Sequence, residues 1–168
     1  MLVYHDLPRA RAPVRPPAGT PLVERLRAYF DGERVSFDDI ELDLSWTTPF
    51  QRAIAETLRN VPAGETVTYG ELAALAGHPN AGRAVGSFCA ANRFGVIIPC
   101  HRVVASTGLG SYGSLGIAYK RRLLALEGVE LRGLSRSSAS APALSPRSSD
   151  VLSRLIRERE LADRYRVR

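Results

Sequence analysis

Pro62-Ala63-Gly64-Glu65-Thr66-Val67-Thr68-Tyr69-Gly70-Glu71-Leu72-Ala73-Ala74-Leu75-Ala76-Gly77-His78-Pro79-Asn80-Ala81-Gly82-Arg83-Ala84-Val85-Gly86-Ser87-Phe88-Cys89-Ala90-Ala91 reads as a turn and two short helices. Pro62-Ala63-Gly64 makes the turn. Thr68 and Glu71 have the spacing of a capping box, so a helix starts there and carries Leu72 and Leu75 inward. Gly77-His78-Pro79 ends it, and Asn80 is placed to cap a second helix that runs to about Ala91 with Val85 and Phe88 inward. Two short helices joined by a tight glycine turn form a helix-turn-helix, whose second helix can enter a DNA groove, or a plain helical hairpin in a core. The pattern alone leaves both readings open.

Working outward on the N-terminal side, Thr48-Pro49 is an N-cap followed by proline at the first helical position, and Phe50, Ala53, Ile54, Thr57 and Leu58 share one face. Before it, Pro21 opens a helix with Leu22, Leu26, Tyr29 and Phe30 on one side, stopped by Gly32. Val35, Phe37, Ile40, Leu42 and Leu44 alternate loosely with acids, as a half-buried strand or hairpin does. Residues 1–20 are rich in proline and arginine and read as an extended or strand-forming lead. Residues 1–47 are thus expected to form a small N-terminal α/β lobe.

On the C-terminal side, Val96-Ile97-Ile98 is a short apolar run expected to be a buried strand that delivers Pro99-Cys100-His101-Arg102 at its end. Gly108, Gly110, Gly113 and Gly116 punctuate a loop. A last helix is expected from about Ile117 to Glu127, with Leu123, Leu124 and Leu126 apolar. Residues 132–149 hold seven serines with Pro142 and Pro146, a linker composition. Residues 150–168 form an arginine-rich tail with one possible helix.

The chain has 168 residues, 45% apolar and 24% charged, which excludes a disordered or fibrous class. No apolar run nears the roughly 18 residues that a membrane helix needs, and Met1 to Ala10 lacks a signal-peptide core. Two cysteines cannot build a disulfide framework, and with three histidines they make a poor metal inventory, so a reducing cytoplasm is expected. Residues 1–131 carry 14 basic against 13 acidic side chains, whereas residues 132–168 carry nine against four. The basicity therefore lies in the tail, as a DNA-binding arm or as a solvated extension. Lys120 is the single lysine among 23 basic residues, a bias of the kind that genomic base composition produces.

Cys89, on the inward side of its helix, reads as a small core residue. Cys100 reads equally as a core residue or as a reactive thiol, since His101 and Arg102 adjoin it and a nearby imidazole or cation favours thiolate. Along a strand His101 points away from Cys100, so the two communicate only if the chain turns there or a water bridges them.

Ile98-Pro99-Cys100-His101-Arg102-Val103 resembles the active-site signature of the O6-alkylguanine-DNA alkyltransferases, also called methylated-DNA–protein-cysteine methyltransferases. The resemblance extends through Pro49-Phe50-Gln51, the stretch from Pro62 to Tyr69, Leu72 to Gly77, Ala84-Val85-Gly86, Asn92, and Leu123-Leu124-Ala125-Leu126-Glu127-Gly128, in order over residues 48–131. It implies an α/β protein with a mainly helical DNA-binding lobe containing a helix-turn-helix.

The activity implied is direct-reversal repair: irreversible, single-turnover transfer of the alkyl group from O6-alkylguanine in double-stranded DNA to Cys100, by a monomer with neither cofactor nor metal. In the implied mechanism the second helix enters the minor groove, and the lesion is flipped out to the thiol. Arg83 stands at the place of the arginine finger, on a helix whose Ala84 and Gly86 face DNA, with Arg102 also assigned to DNA binding. Tyr69 crowds the flipped nucleotide and gives a proton to guanine N3. His101 deprotonates Cys100 through a water, Glu127 holds His101, and Asn92 braces the turn. Backbone groups of Cys100 and Val103 read the guanine amine, and Tyr112, Gly113 and Ser114 close over the base.

The chain departs from the family in four respects. Arg93 replaces the usual proline after the asparagine, where it either loosens the turn or brings a cation towards DNA. The loop from Ser111 to Gly116 is one residue longer, which leaves open which residue donates to guanine O6. The first lobe is short and lacks a cysteine–histidine zinc set. Residues beyond Arg132 lie outside the match. Two rival functions are a non-catalytic sensor of alkylated bases, disfavoured by the presence of Cys100, and a thiol hydrolase, which lacks a second histidine–aspartate motif.

Overall fold

The computed structural model describes residues 21–130; the proline-rich lead, the serine-rich linker and the tail lie outside the described residues. Helices α1 (Pro21–Phe30) and α2 (Pro49–Arg59) are followed by strand β1 (Val67–Thr68), helices α3 (Tyr69–Leu75) and α4 (Gly82–Ala91), strand β2 (Val103–Val104) and helix α5 (Gly116–Leu126). Short 3₁₀ turns occupy Cys100–Arg102 and Gly113–Leu115.

Both threonine caps form as their spacing dictates. Thr48 Oγ1 accepts from Gln51 N at 3.2 Å while Gln51 Oε1 accepts from Thr48 N at 2.9 Å. Thr68 and Glu71 make the same reciprocal pair at the start of α3. Consecutive helices α3 and α4 pack closely, and glycine permits it. A side-chain carbon on Gly82 would lie 3.4 Å from Gly70 N, so the two backbones nearly touch. Ile54, Leu58, Leu72, Val85, Phe88, Phe94, Ile98 and Leu123 are fully buried between α2, α3, α4 and α5. Strands β1 and β2 run parallel, with Val67 beside Val103 and Thr68 beside Val104. This pairing ties the start of α3 to the chain just beyond Cys100.

Three sequence expectations are corrected. Residues 35–44 form no strand beyond one isolated bridge residue, Leu42. The carbonyls of Phe37, Asp38 and Ile40 instead accept from the Arg59 guanidinium at 3.0, 2.9 and 3.0 Å, so a side chain of α2 does what a neighbouring strand would do. Within residues 21–47 the described structure is therefore a helix and an irregular segment; the rest of the expected lobe, residues 1–20, lies outside the described residues.

The Val96-Ile97-Ile98 run is a buried turn, not a strand, with Ile97 N bonded to Gly95 O and Ile98 N to Phe94 O. Its burial comes from enclosure, and β1 takes Val103–Val104 as its partner instead. Asn80 does not cap α4: it adopts a left-handed φ of 69°, which asparagine tolerates, and α4 starts after Ala81 with no side-chain cap.

Arg59→Met is expected to leave three carbonyls without their donor and to cost about 1–3 kcal/mol. Urea unfolding of the two proteins measures the loss.

Candidate active site

Cys100 lies at the start of the 3₁₀ turn that follows Pro99, and the turn answers the problem a strand would have posed. Its backbone folds at once, with Cys100 N donating to Ile98 O at 2.8 Å and Arg102 N to Pro99 O at 2.9 Å. Upstream, Val96 has φ of +67°, an uncommon conformation for a β-branched residue and one that costs on the order of 1–3 kcal/mol. Asn92, at the end of α4, holds the segment from the other side. Its Nδ2 donates to Ile98 O at 2.8 Å and to Cys100 Sγ at 3.2 Å, and its Oδ1 accepts from Phe94 N at 3.0 Å. One amide thus fixes the turn and points a donor at the sulfur.

His101 is fully buried. Its Nε2 lies 2.8 Å from Glu127 Oε1. Arg102 reaches the same carboxylate with two nitrogens, Nη2 to Oε1 and Nε to Oε2, each at 2.8 Å, and its Nη1 donates to Val61 O. Burial alone would raise the Glu127 pKa, but the hydrogen bonds and charges of His101 and Arg102 outweigh it and hold the carboxyl at about 2.

An ionised carboxylate only accepts, so the proton between the pair sits on His101 Nε2. Desolvation lowers the His101 pKa against the pull of Glu127, leaving the ring neutral. Arg102 is then the permanent counter-charge of Glu127. The other ring nitrogen, Nδ1, is buried without a partner among the described residues and is the basic one.

Two of these contacts were not read from the sequence. Tyr29 of α1 donates its hydroxyl to Glu127 Oε1 at 2.9 Å. Lys120 of α5, wholly buried, donates to the carbonyls of Val103 and Leu109 at 2.5 Å each and of Ser111 at 3.4 Å. Burial lowers its pKa to about 8, with the charges of Cys100 and Cys89 opposing, so it is mostly a cation at neutral pH. The legible signal was its place, seven residues before Glu127 on the inward face of a helix, in a chain that otherwise uses arginine. Tyr29 offered only an aromatic on an apolar stripe.

Burial raises the Cys100 pKa, while Asn92, Tyr112 and Lys120 pull it back. The resting group is therefore a thiol surrounded by groups that favour its anion. Tyr112 is buried beside it and stacks on Tyr119 with 6.3 Å between ring centroids. Its hydroxyl is electrostatically coupled to the sulfur yet meets no hydrogen-bond geometry among the described residues. Gly113 and Ser114 lie exposed in the adjoining 3₁₀ turn. The Val103 carbonyl already accepts from Lys120. Tyr69 begins α3, and Gly110 gives it room: a side-chain carbon there would stand 3.3 Å from the Tyr69 hydroxyl. Burial, then Cys89 and Cys100, raise the Tyr69 pKa.

Arg83 and Ala84 are exposed on α4, with Gly86 half-buried behind them and 3.9 Å from Tyr69 Cε1 by its would-be side chain. Arg102, assigned to DNA from sequence, turns inward onto Glu127 and Val61, with 12% of its side chain exposed. Arg93 lies over the Trp46 ring at 4.6 Å, a cation–π contact, while Trp46 Nε1 donates to Asp43 O. Cys89 is half-buried, not sealed in the core.

Residues 49–129 match the family model described as 6-O-methylguanine DNA methyltransferase, DNA binding domain. A Mycobacterium tuberculosis protein named methylated-DNA--protein-cysteine methyltransferase is 47% identical over 113 residues, 67% of each chain. The chain belongs to the methylated-DNA–protein-cysteine methyltransferase family. Its relative of the same name in Mycolicibacterium paratuberculosis is 48% identical over 106 residues, 62% of each chain. The crystal structure of Mycobacterium tuberculosis OGT in complex with DNA superposes with a TM-score of 0.59, at 47% identity and 64% coverage of both chains. The matches therefore span about two thirds of these relatives' lengths.

Two measurements check this geometry. Between about pH 4.5 and 2 the unfolded chain takes up the Glu127 proton before the folded protein does, so stability falls as pH falls through that window, by on the order of 3 kcal/mol. His101, neutral when folded, adds a loss that starts below 6.5. Thermal midpoints are expected to drop accordingly, with a shallower slope between pH 4.5 and 2 in Glu127→Gln. Lys120→Met, which strips the buried carbonyls of Val103 and Leu109 of their donor, is expected to lose about 1–3 kcal/mol in urea unfolding.

Proposed function

We propose that this protein repairs O6-alkylguanine in double-stranded DNA by moving the alkyl group irreversibly to Cys100, once per molecule. The observation that carries this reading is the buried thiol that takes a hydrogen bond from the Asn92 amide, followed in the same turn by a His101 whose Nε2 is tied to Glu127. Such a thiol has a candidate base and an orienter for it, the set that a nucleophilic sulfur needs.

In this mechanism α3 and α4 act as the helix-turn-helix of a DNA-binding unit spanning residues 48–131, and exposed Arg83, with Ala84 and Gly86, enters the minor groove. Arg83 fills the space of the extruded nucleotide. The thiol proton passes through a water to His101 Nδ1. The sulfur attacks the alkyl carbon in line, the carbon–O6 bond breaks, and its electron pair returns to the guanine. Tyr69 supplies the proton to N3, so guanine leaves neutral and the protein keeps a thioether. Asn92 and Lys120 stabilise sulfur charge along this path. Backbone groups of Cys100 and Val103 bind the guanine amine, and Tyr112, Gly113 and Ser114 cover the base. Working as a monomer in the cytoplasm completes the reading. Family members of the sensor type bind such lesions without an acceptor cysteine, and Cys100 favours transfer.

Incubation with duplex DNA carrying O6-methylguanine is expected to add about 14 Da at Cys100, one methyl for one hydrogen, with nothing added in Cys100→Ser. Lesion binding with unchanged mass would favour the sensor. Arg83→Ala is expected to slow repair of duplex DNA by on the order of tenfold or more while sparing reaction with the free alkylated base, because only the duplex needs extrusion. Intact mass against time on both substrates measures it.

A further inference from the structure

We infer that Tyr29, on the N-terminal helix α1, is a positioning residue of the thiol relay, fixing which nitrogen of His101 carries the proton. The inference rests on the reading of Cys100 as the alkyl acceptor and His101 as its base. Tyr29 is 5% exposed, and its hydroxyl lies 2.9 Å from Glu127 Oε1 and 3.4 Å from His101 Nε2. Since the carboxylate is ionised, the phenol proton is committed to Oε1, and the phenol presents only lone pairs to the imidazole.

Both neighbours of Nε2 are therefore acceptors. A proton on Nδ1 instead would leave Nε2 facing two oxygens with nothing to donate. Tyr29 and Glu127 together hold the proton on Nε2 and leave Nδ1 basic, on the ring's other side. The bond also takes up part of the negative charge of Oε1, which already accepts from His101 and Arg102. Less charge at Oε1 stabilises an imidazolium less, so His101 stays neutral to lower pH.

The other groups that face this pair do not duplicate the function. Arg102 balances the carboxylate, and both Arg102 and Lys120 disfavour imidazolium by repulsion. Tyr112 couples to the Cys100 sulfur, and Tyr119 stacks on Tyr112. Packing holds Tyr29 firmly: its ring meets Phe30 and Phe37 edge-on, at centroid distances of 5.3 and 6.1 Å. Helix α1 therefore supplies part of the relay although it stands outside the segment that matches the family model.

The test is Tyr29→Phe, which keeps the ring and removes one oxygen. The single-turnover rate of methyl transfer from duplex O6-methylguanine, followed across pH, is expected to have its acid limb moved to higher pH by roughly half a unit, about threefold in the protonation equilibrium of His101. The pH dependence of Cys100 alkylation by iodoacetamide, which needs no DNA, is expected to move the same way. A uniform slowing with both limbs unmoved would mark Tyr29 as packing only and overturn the inference. Absence of methyl transfer in the unsubstituted protein would overturn the function itself, and the iodoacetamide profile would still decide the place of Tyr29. If Tyr29→Phe does not fold, 3-fluorotyrosine at position 29, a stronger donor, is expected to move both limbs to lower pH, and unmoved limbs would again overturn it.

Discussion

The buried Glu127 carboxylate is the interaction on which the rest of this structure depends. A buried carboxylate is costly unless its charge is balanced and its lone pairs are used. Here Arg102 grips both oxygens, while His101 and Tyr29 donate to one of them. These partners come from α1 and from the turn that holds Cys100, so one side chain at the end of α5 joins three segments distant in sequence. The balance also sorts the charges. Because Arg102 carries the positive one, His101 is free to be neutral, and a neutral imidazole is what a buried thiol needs for a base.

Cys100 shows the opposing demands of this chemistry. Enclosure protects the sulfur and raises the energy of its anion, which by itself would make it inert. The surroundings lower that energy with fixed groups: the Asn92 amide at 3.2 Å and the Lys120 ammonium held by three carbonyls. Lys120 also spans β2 and the loop carrying Leu109 and Ser111, so the cation that supports the sulfur also holds the walls around it.

Much of the helical part was legible because its signals are local. Thr48 before Pro49, and Thr68 with Glu71, fix helix starts within four residues, and the pairing of His101 with Glu127 followed from the family resemblance. What escaped depends on contacts between distant residues. Nothing in Phe37 to Ile40 tells that Arg59 will satisfy its carbonyls, so alternation suggested a strand where none forms. Val96 to Ile98 has the composition of a buried strand and is buried, but in a turn. Arg102 adjoins Cys100 and was expected to meet DNA, and its guanidinium lies on Glu127 and the Val61 carbonyl. Arg93 was expected either to loosen the turn or to approach DNA, and its contact with Trp46 was not legible in either reading.

His101 is held as a neutral imidazole with its proton on Nε2. Nitrogen-15 NMR of the imidazole in the unreacted protein tests this most directly. The expected spectrum is that of a neutral ring, protonated at Nε2 and bare at Nδ1, throughout the neutral pH range. A ring found as imidazolium, or bearing its proton on Nδ1, would contradict it.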